Sequence, residues 1–199
     1  VAANRIIVDR GVEPEFTGKF VEKVRELKVG NGLDPVDVGP MISARQRDRL
    51  YDTINDLKRA GGEVLAGGRA MQRPGFFFEP TVVRFDAPNP IICSNELFAP
   101  IATIFAVDGV GQALEFANDS RFGLASYVFT RDLTRAMAMG EQLEFGMVGI
   151  NRGIMADPAA PFGGTKASGI GREAGHDGIY EFLEKKYMAV TVGELDEAL

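Results

Sequence analysis

Apolar residues in the first third of the chain recur at helical spacing in two segments. The first segment covers residues 12–27, and steps of three and four residues place its apolar positions on one face of an amphipathic helix. Those positions are Val12, Phe16, Phe20, Val24 and Leu27. The second segment begins after Ser43, which stands three residues ahead of Gln46 in the form of a capping box. We expect Gly61 and Gly62 to end this second helix. Its apolar positions are Leu50, Ile54 and Leu57.

Further along, β-prone and helix-prone segments alternate. Strands are predicted over residues 5–9, 63–66, 76–78, 81–83, 101–107, 125–130 and 147–150. Helices are predicted over residues 112–118 and 133–143, and glycines and prolines predict a loop over residues 29–40. The alternation predicts an α/β fold with an open, mostly parallel twisted sheet and helices on both faces.

Residues 158–175 form a glycine-rich stretch, with five glycines in its last thirteen residues. Glycine permits positive φ angles and a close approach of the backbone to another group. An apolar run at residues 147–150 precedes the stretch, and residues 180–183 follow it at helical spacing. Sites in α/β proteins lie in such loops, although a plain surface loop is an alternative. Its Gly-x-Gly-x-x-x-Gly spacing is one residue too long for a dinucleotide fingerprint.

The last regular pattern covers residues 185–192, where two sets of side chains alternate as in a β-strand. This segment follows the compact part of the chain and precedes an acidic tail, so we expect it to project as an edge strand. Two interpretations stay open. The strand either returns to its own sheet or contacts another subunit.

Composition narrows the class of protein. The 199 residues suffice for one well-buried domain or two small ones. A net charge of -6 without a basic stripe argues against nucleic acid or an anionic membrane as a partner. The sequence shows neither a membrane span nor a signal peptide.

A single cysteine, Cys93, excludes an internal disulfide and favours a reducing cytoplasm. Because the chain starts Val-Ala-Ala-Asn without an initiator Met, we expect it to be cut from a longer polypeptide.

Five motifs stand in a fixed order along the chain. They are Gly-Phe-Phe-Phe-Glu-Pro-Thr (75–81), Asn-Glu-Leu-Phe-Ala-Pro (95–100), Ala-Asn-Asp-Ser-Arg-Phe-Gly-Leu-Ala-Ser (117–126), Gly-Ile-Asn (149–151) and Pro-Phe-Gly-Gly-Thr-Lys-Ala-Ser-Gly-Ile-Gly-Arg-Glu (161–173). In order and spacing they resemble the aldehyde dehydrogenase superfamily. Residues 161–173 and 180–187 are most similar to its succinate-semialdehyde dehydrogenases.

The resemblance also implies what lies outside the chain. In that family a nucleophilic cysteine stands directly ahead of the strand that residues 1–8 match, so we expect it just before Val1. The general-base glutamate and the dinucleotide-binding fold are expected further upstream. Residues 1–184 are then the catalytic-domain portion, and residues 185–199 the oligomerisation strand and tail. The family reaction needs a thiolate and a base-activated water, so we expect the 199-residue chain to be inactive. The alternative is a non-catalytic truncated module that only folds and oligomerises.

A cofactor is implied as well. NAD or NADP is expected in the full-length parent and is not expected to bind this chain tightly. Glu96 matches the family glutamate that accepts hydrogen bonds from the nicotinamide ribose hydroxyls, a role that suits a carboxylate. Phe98 matches the aromatic that packs beside the ribose and nicotinamide. Without the resemblance, Glu96 would be interpreted as a solvated loop carboxylate and Phe98 as a core aromatic, and the second interpretation stays open.

The expected substrate is a small aldehyde, with succinate semialdehyde as the first candidate. Phe162 matches the aromatic of the family's substrate funnel, and Met155 and Ala156 lie in the segment that selects the tail of the aldehyde. Many semialdehyde enzymes have a serine at the position of Ala156. Its absence removes one hydrogen bond to a charged group, about 1.5–3 kcal/mol, and weakens the assignment to succinate semialdehyde.

Two other reactive residues have simpler interpretations. Cys93 follows two isoleucines and is expected to be buried and inert. His176 is expected at the surface or at a helix cap, and one His and one Cys are too few for a zinc site. The family's last strand joins the sheet of a neighbouring subunit, so the resemblance implies a homodimer or homotetramer formed through residues 185–192.

Overall fold

The computed structural model describes residues 2–93 and 95–193. Its helices are α1 (Glu13–Glu26), α2 (Ala44–Arg59), α3 (Gly109–Asn118) and α4 (Leu133–Gln142), and 3-10 helices cover Pro90–Ile92 and Asp177–Phe182. Its strands are β1 (Arg5–Asp9), β2 (Glu63–Ala66), β3 (Thr81–Phe85), β4 (Ile101–Val107), β5 (Phe122–Gly123), β6 (Ala125–Val128), β7 (Met147–Ile150) and β8 (Thr165–Lys166). The four predicted α-helices are therefore present.

The main sheet has four strands in the order β1-β4-β3-β2. β1, β4 and β3 run parallel, and β2 is an antiparallel edge strand. Ile7 of β1 and Phe85 of β3 both lie opposite Phe105 of the central strand β4. The prediction of a mostly parallel sheet is confirmed.

Helices cover both faces of this sheet. Successive side chains of a strand point to opposite faces. On one face α1 packs against a buried cluster formed by Val8, Val21, Val82 and Ile104. On the other face α2 and α3 cover a larger cluster. Its centre is Phe105, whose ring lies 4.8 Å from that of Phe85 and 5.0 Å from that of Phe116 of α3.

The remaining strands form two separate ladders instead of extending the main sheet. β6 and β7 pair in parallel, and β5 pairs antiparallel with β8. Residues 76–78, predicted as a strand, contribute only a single bridge from Phe78 to Ala70. Local alternation predicts which segments are strands, but the ladder that each one joins depends on contacts between distant parts of the chain.

The capping box predicted at the start of α2 is half formed. The Ser43 hydroxyl accepts a hydrogen bond from the Gln46 backbone N–H at 3.2 Å. The Gln46 side chain does not reach back to Ser43, because its amide donates to the Phe98 backbone oxygen at 3.3 Å. This bond ties α2 to the segment of residues 95–100.

The predicted edge strand over residues 185–192 is not paired in the single chain. Those residues are exposed and have no helix or strand. A β-strand needs a hydrogen-bonded neighbour, and within the described ranges this segment does not return to its own sheet. The interpretation as a subunit contact stays a prediction. Residues 194–199 of the acidic tail lie outside the described residues.

Candidate functional site

Backbone pairing folds the loop over residues 158–175 back on itself. Phe162 N–H donates to the Glu173 oxygen at 2.7 Å, and Glu173 N–H donates to the Phe162 oxygen at 2.7 Å. Within the stretch, a Cβ added to Gly163 would lie 2.6 Å from the Gly171 oxygen. No side chain fits there. The expectation that these glycines serve close backbone contact is confirmed at this crossing.

A small pocket of about 120 Å³ lies between this loop and the strands β6 and β7. Its lining residues are Tyr127, Met147, Gly153, Ile154, Met155, Ala156 and Phe162. The structure thus brings together the residues predicted for the substrate pocket, namely Met155, Ala156 and Phe162. Of these three residues, Met155 and Phe162 are partly buried and Ala156 is exposed. Such a pocket suits the apolar part of a small ligand.

Two contacts shape this pocket. Met155 packs closely over β7, since a Cβ on Gly149 would lie 2.8 Å from the Met155 sulfur. Tyr127 of β6, the register partner of Gly149, also lines the pocket and was not predicted as a site residue. The sequence offers one indication of Tyr127. Successive residues of a strand point to opposite faces, and because Val128 of β6 is buried in the core, Tyr127 points to the other face.

The ends of β6 and β7 are clamped by one side chain. The Asn151 side chain accepts a hydrogen bond from the Thr130 N–H at 2.9 Å and donates to the Thr130 oxygen at 2.8 Å. Asn151 itself has a left-handed backbone with φ of 53°. This turn directs residues 152–157 toward the pocket. A wider, open depression of about 440 Å³ is lined by Phe129, Thr130, Arg131, Leu133 and Asn151.

The two residues predicted to contact the cofactor lie apart from this pocket. Glu96 and Phe98 belong to the irregular segment between the first 3-10 helix and β4, and both side chains are exposed. Phe98 is 75% exposed, so it is not a core aromatic of this chain. Neither residue is among those that line the substrate pocket.

Cys93 is buried, as predicted, and only 5% exposed. Its sulfur lies 3.8 Å from Nη1 of Arg5. Burial raises the pKa of the Cys93 thiol above its usual range, although the nearby Arg5 charge opposes the shift. A buried thiol that holds its proton is a poor nucleophile.

Other potential reactive groups form no second site in the described parts of the chain. His176 is exposed at the start of the second 3-10 helix and makes no side-chain cap there. Within residues 2–93 and 95–193, no three His, Cys, Asp or Glu side chains are grouped so that they could hold a metal ion. In the same residues, every helix is too short or too polar to span a membrane.

Comparison with known families decides the assignment. The family model described as the aldehyde dehydrogenase family matches residues 1–188. This chain belongs to the aldehyde dehydrogenase family. The resemblance carried by the five sequence motifs is thereby confirmed.

Relatives within the aldehyde dehydrogenase family cover nearly all of this chain. A succinate semialdehyde dehydrogenase of Acinetobacter baylyi is 43% identical over 188 residues, 94% of this chain and 39% of the relative. An NADP(+) succinate-semialdehyde dehydrogenase of Escherichia coli is 42% identical over 96% of this chain and 40% of its own length. The chain therefore spans about two fifths of these relatives.

A solved aldehyde dehydrogenase structure has the same fold. The structure of a betaine aldehyde dehydrogenase variant of Staphylococcus aureus with NAD+ matches with a TM-score of 0.86 and 35% identity. The match covers 92% of this chain and 38% of that one.

Proposed function

We propose that this chain is the carboxyl-terminal catalytic-domain portion of an NAD(P)-dependent aldehyde dehydrogenase that oxidises a small aldehyde to its carboxylic acid. One observation carries the proposal. In a chain of this family, Met155, Ala156 and Phe162 converge on a single pocket. The relatives named succinate semialdehyde dehydrogenase support succinate semialdehyde as the first substrate to test.

The pocket lining suggests how the aldehyde is held. The side chains of Phe162 and Met155 offer an apolar wall to the carbon chain of the substrate. Tyr127 adds a phenol, which can donate a hydrogen bond. Ala156 offers no hydrogen bond to a substrate carboxylate, so residues outside this chain are proposed to bind the carboxylate.

Glu96 and Phe98 are proposed to contact the nicotinamide half of the cofactor. Both are exposed, so the Glu96 carboxylate is free to accept hydrogen bonds from ribose hydroxyls and the Phe98 ring can lie against the ring system. When bound, NAD or NADP supplies the hydride acceptor. One relative is named for NADP(+) and one similar structure contains NAD+, so both cofactors are candidates. Two exposed contacts do not give tight binding, and we expect the isolated chain to bind neither cofactor tightly.

The nucleophile is proposed to be a cysteine immediately before Val1. Cys93 does not serve this purpose, because its thiol is buried and its pKa is raised by that burial. The 199-residue chain on its own is therefore proposed to be inactive.

The test compares the purified chain with the polypeptide isolated from its natural source. Both are mixed with succinate semialdehyde and either NAD or NADP, and the absorbance of the reduced cofactor is followed. We expect turnover only from the source polypeptide. Turnover by the isolated chain would overturn its proposed inactivity. A source polypeptide of 21.5 kDa without turnover would instead favour the non-catalytic module that folds and oligomerises.

Assembly through residues 185–192 is part of the proposal. In this segment Tyr187, Met188, Val190 and Val192 are between 69% and 95% exposed. A row of exposed apolar side chains on an unpaired segment suits pairing with a strand of another subunit. We propose a homodimer or homotetramer, located in the cytoplasm, where thiols stay reduced.

A further inference from the structure

The carboxyl-terminal end of α3 receives the side chain of Arg5 from the start of β1. The last carbonyl groups of a helix have no partner within it. Arg5 donates through Nη1 to the Phe116 oxygen and through Nη2 to the Ala117 oxygen at 2.8 Å. Its guanidinium carbon also lies 5.1 Å from the centre of the Phe116 ring. Arg5 thus fixes the first residue of β1 against the helix end.

A second cation reaches the same helix end from the loop that carries Phe162. Lys166 Nζ donates to the Asn118 oxygen at 2.9 Å and to the Ser120 oxygen at 3.3 Å. It also forms an ion pair with Glu144 at 2.5 Å. Lys166 has φ of 54°, a left-handed backbone that is uncommon for a residue other than glycine. These contacts hold the loop in that conformation.

Both cations complement the negative end of the helix dipole. The side chain of Lys166 is only 27% exposed, and Arg5 is partly buried. Hydrogen bonds from a charged donor are roughly twice as strong as those between neutral groups. The end of α3 is therefore a common anchor for two segments that are 161 residues apart in the sequence, which is the difference between positions 166 and 5.

We propose that Arg5 and Lys166 are positioning residues that set the distance between the nucleophile and the Phe162 wall of the substrate pocket. This inference rests on the proposed function, in which the nucleophile immediately precedes Val1. A chain extends at most about 3.6 Å per residue, so Arg5 lies within about 18 Å of that nucleophile. By the same measure, Lys166 lies within about 14 Å of Phe162.

A further hydrogen bond holds Asn4, the residue just before β1. The Thr103 hydroxyl of β4 donates to the Asn4 backbone oxygen at 2.5 Å. The chain just ahead of β1 is thereby held from two sides, by Thr103 and by Arg5. If the two Arg5 hydrogen bonds to the end of α3 are lost, β1 stays paired with β4, but the residues just before β1 are free to shift.

The experiment uses the full polypeptide from the source organism and five single variants: two test variants, two controls and the rescue variant Lys166→Arg. Arg5→Lys keeps the charge but removes the two-pronged donor, and Lys166→Met removes the charge. The matched controls are Arg10→Lys, at the other end of β1, and Lys19→Met, in an exposed ion pair on α1. Each protein is assayed for kcat, for KM of the aldehyde, for melting temperature and for the rate of alkylation of the nucleophile against pH.

We expect Arg5→Lys and Lys166→Met to lower kcat/KM by about 10- to 100-fold, as misplacement by about 1 Å does. Arg5→Lys should lower kcat and change the pH dependence of the rate at which the nucleophile is alkylated. Lys166→Met should mainly raise KM for the aldehyde. The control variants should match the wild type. Lys166→Arg, which restores the charge, should recover most of the lost activity.

The outcomes separate this inference from the proposed function. A wild-type polypeptide without aldehyde-dependent NADH or NADPH formation overturns both. An active wild type with kcat, KM and alkylation unchanged in Arg5→Lys and Lys166→Met overturns the positioning roles alone. Equal losses in the controls and in both test variants, following melting temperature, also overturn them, because the effect is then one of stability. If Arg5→Lys does not fold, Lys166→Met and its rescue by Lys166→Arg decide the result.

Discussion

The Glu13 carboxylate at the start of α1 accepts two hydrogen bonds from the Arg84 guanidinium on β3, with Nε–Oε1 at 2.7 Å and Nη2–Oε2 at 3.1 Å. Glu13 is only 3% exposed, and the Thr17 hydroxyl donates to it at 2.6 Å. The Arg84 hydrogen bond is the main reason that the pKa of Glu13 lies below its usual range. This pair fixes α1 to one face of the main sheet.

Glu13→Gln should destabilise the fold because it leaves a partly buried guanidinium without its carboxylate. Breaking a buried ion pair costs about 3–5 kcal/mol, and we expect the lower end because Asp86 still contacts Arg84 at 2.8 Å. Urea unfolding followed by circular dichroism measures the loss. The control Glu15→Gln, in an exposed pair with Lys19, should leave the unfolding midpoint unchanged. Equal midpoints for both variants would contradict the role of the buried pair.

The same pair predicts acid sensitivity. A carboxyl group with a lowered folded-state pKa adds stability above its ordinary value of about 4.3, and that stability is lost as the pH falls through the lowered pKa. The unfolding free energy should therefore fall below pH 4 more steeply in the wild type than in Glu13→Gln. Parallel pH profiles for the two proteins would show that Glu13 is not responsible.

Cys93 predicts the opposite trend at alkaline pH. Its pKa is raised, chiefly by burial, so its contribution to stability is complete below the ordinary thiol value of about 8.5 and is lost as the pH rises through the raised pKa. The stability difference between wild type and Cys93→Ala should shrink above that pH. Iodoacetamide should label Cys93 slowly until the protein unfolds. Rapid labelling of the folded protein would contradict the buried, inert assignment.

The substrate wall predicts a binding defect. Phe162→Ala in the source polypeptide removes an aromatic contact to the aldehyde, so we expect kcat/KM to fall by about tenfold or more, mostly through KM. Steady-state kinetics with succinate semialdehyde give the measurement. Phe76→Ala is the control, because Phe76 is 40% exposed and lies outside the pocket lining. An unchanged KM in Phe162→Ala would remove Phe162 from the site.

Assembly through residues 185–192 predicts a change of molar mass. Deletion of residues 185–199 from the source polypeptide should reduce the mass seen by light scattering toward that of a monomer. Val190→Pro should do the same, because proline cannot donate a strand hydrogen bond, whereas Val190→Thr should keep the assembly. An undiminished molar mass after the deletion would argue against this interface.

Local periodicity predicted the face of α2 and the strand β4 correctly. The apolar face predicted for α1 is wrong in part, because Val12, Phe16 and Leu27 are exposed whereas Glu13, Thr17 and Val21 are buried. The spacing of Leu50, Ile54 and Leu57 reflects a helix face that is buried in the structure. The nearly continuous apolar run of β4 reflects its two covered faces. Neither requires knowledge of distant residues.

Features that join distant segments were not predictable in this way. Nothing near Lys166 in the sequence indicates that it binds the end of α3, 48 residues before it. The same holds for Arg5 and Phe116, separated by 111 positions. Glu96 and Phe98 owed their assignment to motif resemblance alone, since an exposed loop carboxylate and aromatic have no distinctive local pattern. Residues 185–192 are unpaired among the described residues, and nothing in their local pattern indicates which strand would pair with them.

We propose that this chain supplies the substrate wall of an aldehyde dehydrogenase whose nucleophile immediately precedes Val1. The direct test treats the source polypeptide with limiting iodoacetamide until aldehyde-dependent NADH or NADPH formation is lost, and maps the modified cysteine by peptide mass spectrometry. We predict that loss of activity parallels labelling of a cysteine immediately before Val1, with Cys93 unmodified. Labelling of Cys93 in proportion to the loss of activity, or a source polypeptide without a cysteine at that position, would contradict the claim.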